Sequence, residues 1–271
     1  MNSILALSMI TFKEGIRNRT LYGIALLALF LFGLNITVAG FFMRDIGKVS
    51  VDMNLAALTV AGILLVLFVG INLMAKDIDK KTIQLVLSKP ITRTQYIIGK
   101  YLGIILFVSA SLIVLVLFSS TTILVLRTIY IDYFENFSWG IFFIACSFIF
   151  IKMWVLVSVV VFFSSITTSS LITLIFSSSV YVAGVTIEEV VFYIRTELAS
   201  QEEIITESLK DFIDIVSYVL PNLSVYDFSI EAAHGIAVES HRIFLSLGYS
   251  FFYIAILLIL AAQIFLRREF N

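Results

Sequence analysis

KDIDKKTIQLVLSKPITRTQYIIGK, residues 76–100, stands between two long apolar runs. It holds six of the chain's eighteen Lys and Arg residues (Lys76, Lys80, Lys81, Lys89, Arg93 and Lys100) and Pro90, one of its two prolines. A connector between membrane helices needs only a few polar residues, so a charged stretch of this length is built for contact on its own side of the membrane. Lys76–Ser88 continues the preceding apolar run as a charged helix. Its Ile83, Leu85, Val86 and Leu87 call for a surface to bury against, either the membrane interface or a partner's groove. Pro90 breaks that helix and pushes Lys89 towards an extended conformation. Thr92 followed by Gln95 forms the pattern of a capping box, which restarts a helix. Helix, break and capped helix together predict a rigid elbow.

The rest of the chain says what the elbow connects. Hydrophobic residues fill 60% of the 271 positions and charged residues only 14%, against about 25% charged in soluble domains. Mean hydropathy is +1.06. Too little polar surface remains to coat a globule, so this is an integral membrane protein in contact with lipid. A net charge of −1 without a basic run gives no sign of a nucleic-acid partner. The lone Cys146 forms no intrachain disulfide. No Pro- or Gly-rich linker divides the chain, which reads as a single transmembrane domain.

About 20 apolar residues cross a ~30 Å hydrocarbon core as a helix. Six stretches qualify: 21–43, 54–75, 101–126, 139–163, 166–187 and 243–266. Backbone pairing in lipid favours helices over the strands that runs such as Val155–Phe163 would otherwise suggest. The expected fold is all-α, with six spans. Residues 1–20 lack the early positive charge of a secretory signal. Ile4, Leu5, Met9, Phe12 and Ile16 fall on one side of a helix with Lys13, Glu14 and Arg17 on the other, which reads as an interfacial helix.

Charge then orients the bundle. With both termini on one side, that side carries eleven Lys and Arg and the other six, with Lys152 inside a span. The positive-inside rule puts both termini and the elbow in the cytoplasm. Residues 188–242 form an extracytoplasmic segment. Val190, Val191, Ile194, Leu198, Ile205, Leu209, Phe212, Ile213 and Val216 recur at helical spacing among many carboxylates, which predicts one long or two short amphipathic helices ending near Pro221. Their acidic face is most simply solvated surface.

Several residues stand out from the apolar background. Lys152 lies in the middle of the fourth span, and an ionisable group there is a functional candidate by default. It either lines a pathway and attracts an anionic group, or faces the bundle and is held by Ser, Tyr or carbonyl groups. Asn35 and Asn72 are candidate intramembrane polar contacts between helices, and Gly99 with Gly103 has the G-x-x-x-G spacing of close helix packing, local packing being the simpler reading. Glu231 and His234 have the E-x-x-H spacing near Glu239 and His241. A di-metal site needs that motif twice with further acids, so no metal site is expected. No nucleophile, base and orienting group fall together in a hydrolase pattern.

The elbow resembles that of ABC-2-type transporter permeases, on the pattern L-S-K-P-x-[ST]-R-x-x-[YF]-x-x-G-K-x-x-G. Here it reads Leu87-Ser88-Lys89-Pro90, Thr92-Arg93, Tyr96, Gly99-Lys100 and Gly103, preceded by Asp77 and Thr82. Phe12-Lys13-Glu14-Gly15-Ile16-Arg17-Asn18, Leu220-Pro221-Asn222-Leu223 and Tyr226-Asp227-Phe228 are weaker features of the same kind. Where family members often carry Glu near the start of the elbow, this chain has Lys76-Asp77. The resemblance implies the permease subunit of an ATP-binding cassette transporter, an exporter of the cytoplasmic (inner) membrane, paired with a second permease copy or related chain. It implies a separate cytosolic ATPase contacting Asp77, Lys80, Lys81, Thr82, Leu85, Leu87, Ser88, Lys89, Pro90 and Arg93. No G-x-x-x-x-G-K-[ST] phosphate loop occurs. The chain is therefore expected to be non-catalytic and to hold no cofactor, with ATP and magnesium on the partner. The competing expectation is a membrane scaffold or assembly factor that recruits a cytosolic partner without transporting.

Overall fold

A chain that crosses lipid must pair its own backbone groups within each segment, and here every long element is a helix. The computed structural model describes residues 3–41, 45–74, 91–200 and 220–267, with the backbone alone for 194–200. Its helices are α1 (Ser3–Ile16), α2 (Arg19–Ala39), α3 (Ile46–Met74), α4 (Arg93–Ile129), α5 (Trp139–Ile166), α6 (Ser170–Ser200), α7 (Ser229–His234) and α8 (Ser240–Arg267). All but α1 and α7 are long and apolar enough to span a membrane, six in number as expected. No strand occurs among the described residues.

The spans alternate in direction. One end of the bundle, the elbow end, gathers α1, the close of α3, the start of α4, the turn between α5 and α6 and the close of α8. The opposite end gathers the α2–α3 and α4–α5 connections and the return from α6 to α8. Helices α3 and α5 are the most deeply buried spans, with α2, α6 and α8 around them exposing apolar side chains such as Leu26, Phe30, Leu171, Phe251 and Phe252. Such surfaces suit lipid or another membrane helix.

Several helix ends differ from the apolar stretches, three of them for a visible local reason. Helix α3 begins at Ile46 instead of residue 54, because Ile46, Ser50 and Val51 are buried while Lys48 and Asp52 fall on the outer side of the same turns. Hydropathy alone discounts such a charged first turn. Helix α4 is 37 residues long, about 55 Å at 1.5 Å per residue, and so outruns the hydrocarbon core. It starts where Thr92 and Gln95 form both bonds of the capping box, at 3.2 and 3.1 Å. Helix α5 runs to Ile166, a residue expected to open the next span. The turn follows at Thr167–Ser169, fastened by a 2.6 Å bond between the Thr167 and Thr173 hydroxyls.

Polar side chains tie the spans together. Asn35 Nδ2 on α2 and Asn54 Nδ2 on α3 both donate to the Ser50 carbonyl at 2.8 Å, and Ser119 Oγ on α4 donates to Asn54 Oδ1 at 3.0 Å. Three helices thus share one buried node, in which Asn35 Oδ1 and Ser50 Oγ have no hydrogen-bond partner among the described residues.

Candidate functional site

The sequence candidates fall at the two ends of the bundle. At the elbow end, the first two turns of α4 touch most of their surroundings. The Arg93 guanidinium donates from Nη1 to the Phe265 and Leu266 carbonyls at 3.2 and 2.9 Å. These belong to the last described turn of α8. Tyr96 stacks on Phe265 with centroids 5.4 Å apart. Lys100, buried to 3% exposure, donates from Nζ to the Leu73 carbonyl at 2.8 Å at the close of α3.

Gly99 and Gly103 face α1. A Cβ at Gly103 would lie 2.6 Å from Thr11 Cβ and 2.7 Å from the Ser8 carbonyl oxygen, and one at Gly99 would lie 2.9 Å from Leu7. The G-x-x-x-G spacing therefore serves packing within the chain. It also explains which side of α1 turns inward. Leu7, Ser8, Thr11 and Gly15 are buried, while Leu5, Met9 and Ile16 stay outside. Arg93 and Lys100 are the elbow residues placed here. Asp77, Lys80, Lys81, Thr82, Leu85, Leu87, Ser88, Lys89 and Pro90 lie outside the described residues. Asn72 is exposed at this same end, in a cleft with Lys13, Arg17 and Arg19, far from Lys152.

At the opposite end, part of the segment expected to lie clear of the membrane returns to the bundle. Residues 220–239 pass through a 3-10 turn at Ser224–Tyr226 and then α7, with Leu223, Tyr226, Phe228 and Ala232 all at 1% exposure or less. The segment is fastened on several sides. Leu223 N donates to the Gly184 carbonyl on α6 at 2.8 Å, and Gly184 is required because a Cβ there would lie 2.4 Å from the Pro221 oxygen. Ser224 Oγ donates to Glu188. On α8, the Tyr249 hydroxyl accepts from Asn222 N, and Ser250 Oγ donates to the Tyr226 hydroxyl, both at 2.9 Å. Phe228 packs on Phe148 of α5 at 4.5 Å. Arg242 pairs with Glu231, donates from Nη2 to the Asp227 carbonyl at 3.0 Å and covers the Phe228 ring at 4.4 Å. Glu231 is thus held by an arginine, and His234 Nδ1 lies 3.1 Å from the Ile230 carbonyl.

This returning segment roofs a cavity of about 280 Å³ between α3, α5 and α6. Lys152 on α5 points into it at 6% exposure, with its ammonium 5.8 Å from the centre of the Tyr181 ring. Asp52 and Thr59 come from α3, and Tyr226, Asp227 and Ser229 from the roof. Among the described residues, Lys152 has neither a hydrogen-bond acceptor nor an ion-pair partner; the Tyr181 ring is its contact. Burial of the Tyr226 phenol holds its pKa up to about 12, so it stays a neutral hydrogen-bonding group at physiological pH.

Lys152 was visible in the sequence as a lone charge in a span. Asp52 and Arg242 were not singled out, and the sequence around them gives no sign of which helices they meet. The Leu220-Pro221-Asn222-Leu223 and Tyr226-Asp227-Phe228 motifs were the signals that marked the roof.

A family model described as ABC-2 family transporter protein matches residues 5–270, nearly the whole chain. No curated protein matches it at a significant level.

Proposed function

We propose, from the premise that this chain belongs to the ABC-2 transporter family, that it is an exporter subunit driven through its elbow by a separate ATPase. As a family member it is a permease component of an ABC transporter and an integral membrane protein. On our reading both termini and residues 76–100 face the cytoplasm across the inner membrane. ATP and magnesium reside on the ATPase, and a second permease copy or related chain completes the path.

The observation that carries this reading is the convergence at the start of α4. Arg93 holds the end of α8, Lys100 holds the end of α3, and Gly99 and Gly103 hold α1. A push on the elbow therefore reaches four helices through short, directional contacts. A loosely tethered loop would dissipate it. Movement of α3 and α4 against α5 would in turn alter the cavity at the other end, since α3 and α5 form two of its walls.

The test is purification of the tagged chain in mild detergent with identification of its companions. A soluble Walker-type ATPase in fixed stoichiometry, hydrolysing ATP faster with the permease than without it, supports the reading. Recovery of other partners, with no ATPase activity in the complex, would favour a scaffold.

A further inference from the structure

The cavity beneath Tyr226 has a charge pattern that selects a ligand. Lys152 projects into it from α5 without an acceptor of its own, and burial in that state is unfavourable for its ammonium unless the group gives up its proton or something in the cavity satisfies it. Asp52, on the outer side of α3, lies exposed at the rim of the cavity with no hydrogen bond or ion pair among the described residues, and the charges of Asp227 and His234 act on it. Asp227, an exposed residue, accepts at Oδ1 from the Ser229 amide and hydroxyl, at 3.0 and 2.5 Å, and lines the cavity at its edge. Neither carboxylate comes within ion-pair distance of Lys152, so the lysine and the two acids do not neutralise one another by contact.

A purely anionic ligand would gain Lys152 but meet two carboxylates. A purely cationic one would gain the carboxylates but meet the lysine. Only a molecule carrying both charges a few atoms apart matches both sets. The volume, about 280 Å³, sits just below the ~300 Å³ where pockets for drug-sized ligands begin. That suits a headgroup or a small solute and excludes a folded peptide or a sugar chain. Val60, which lines the cavity from α3, is also 42% exposed on the outside of the bundle, so the space lies close to the lipid-facing surface.

We propose that this cavity binds a zwitterion with a primary ammonium, Lys152 taking its anionic group and Asp52 with Asp227 its ammonium. The ligand is either the headgroup of a lipid or a free solute of the same chemistry. Calling it a transported substrate rests on the transport reading above; its binding does not.

The experiment is calorimetric titration of the purified full-length chain in nonionic detergent with glycerophosphoethanolamine, glycerophosphate and ethanolamine, paired with native mass spectrometry using phosphatidylethanolamine and phosphatidylglycerol. The zwitterionic probe is expected to bind at least tenfold more tightly than either single-charge probe. Lys152→Gln is expected to weaken it at least tenfold, and Lys152→Arg to retain most of it. Retention of phosphatidylethanolamine without the soluble probe assigns a lipid source, and binding of the soluble probe assigns a free one. Equal affinity for all the probes, no binding, or wild-type affinity in Lys152→Gln overturns the proposal. Should Lys152→Gln not survive purification, Asp52→Asn carries the same comparison, with loss of the preference for ethanolamine-bearing probes over glycerophosphate expected and an unchanged preference fatal. None of these titrations involves the ATPase, so their failure leaves the copurification result standing.

Discussion

The Lys100 ammonium donates to the Leu73 carbonyl oxygen at 2.8 Å and lies 5.9 Å from the centre of the Tyr96 ring. Lys100 sits two turns into α4 and Leu73 one residue before Met74, the last described residue of α3, so this one bond fastens together the two helices on either side of the elbow.

Replacing Lys100 by Met keeps the apolar stem and removes the donor. The expected loss is about 1.5–3 kcal/mol, the range for a hydrogen bond made by a charged group. Thermal unfolding in detergent should show a lower midpoint for Lys100→Met than for the wild type. An unchanged midpoint would mean that the bond contributes nothing to holding α3 on α4.

Arg93→Glu puts a carboxylate against the Phe265 and Leu266 carbonyls, where Arg93 now donates. Repulsion should detach the end of α8 from α4. In the reconstituted complex, basal ATP hydrolysis is expected to persist while its response to substrate falls at least severalfold. Substrate response equal to the wild type would remove Arg93 from the force path.

Gly103 and Gly248 offer a paired comparison. A Cβ at Gly103 meets Thr11 and the Ser8 carbonyl at under 3 Å, whereas one at Gly248 meets nothing within 4 Å. Gly103→Ala is expected to destabilise by about 1–3 kcal/mol through overpacking, and Gly248→Ala to be neutral or mildly stabilising. Similar unfolding midpoints for the two variants would contradict the close approach of α1.

Asn54 and Ser119 should behave as a coupled pair. Asn54→Leu and Ser119→Ala each break the 3.0 Å bond between α3 and α4. The double variant is then expected to lose less than the sum of the two, by about 0.6 kcal/mol on the average for polar contacts between membrane helices. Strict additivity in a double-mutant cycle would show that the contact is not energetically shared.

Arg242→Gln removes the pairing with Glu231 and the cover over Phe228. The roof should loosen while the elbow end stays intact. Hydrogen exchange is the measurement: amides of residues 223–234 are expected to exchange faster, with those of residues 96–103 unchanged. Uniform change at both ends would point to general destabilisation instead.

Apolar run length alone determined that the chain crosses the membrane as helices, and how often, because lipid imposes a fixed thickness and leaves no backbone group to water. The cap at Thr92 was equally legible, since a capping box is closed by residues three apart. Gly99 and Gly103 announced a close contact through their spacing, though α1 as the partner emerged only from the folded chain. Tertiary structure decided the rest: Arg93 against α8, Lys100 against α3, the return of residues 220–239 to the bundle, and the meeting of Lys152 with Asp52 and Asp227. Helical periodicity tells which side chains share a face. Which faces come together depends on the packing of whole helices, and no local pattern around Lys152, Asp52 or Asp227 encodes it.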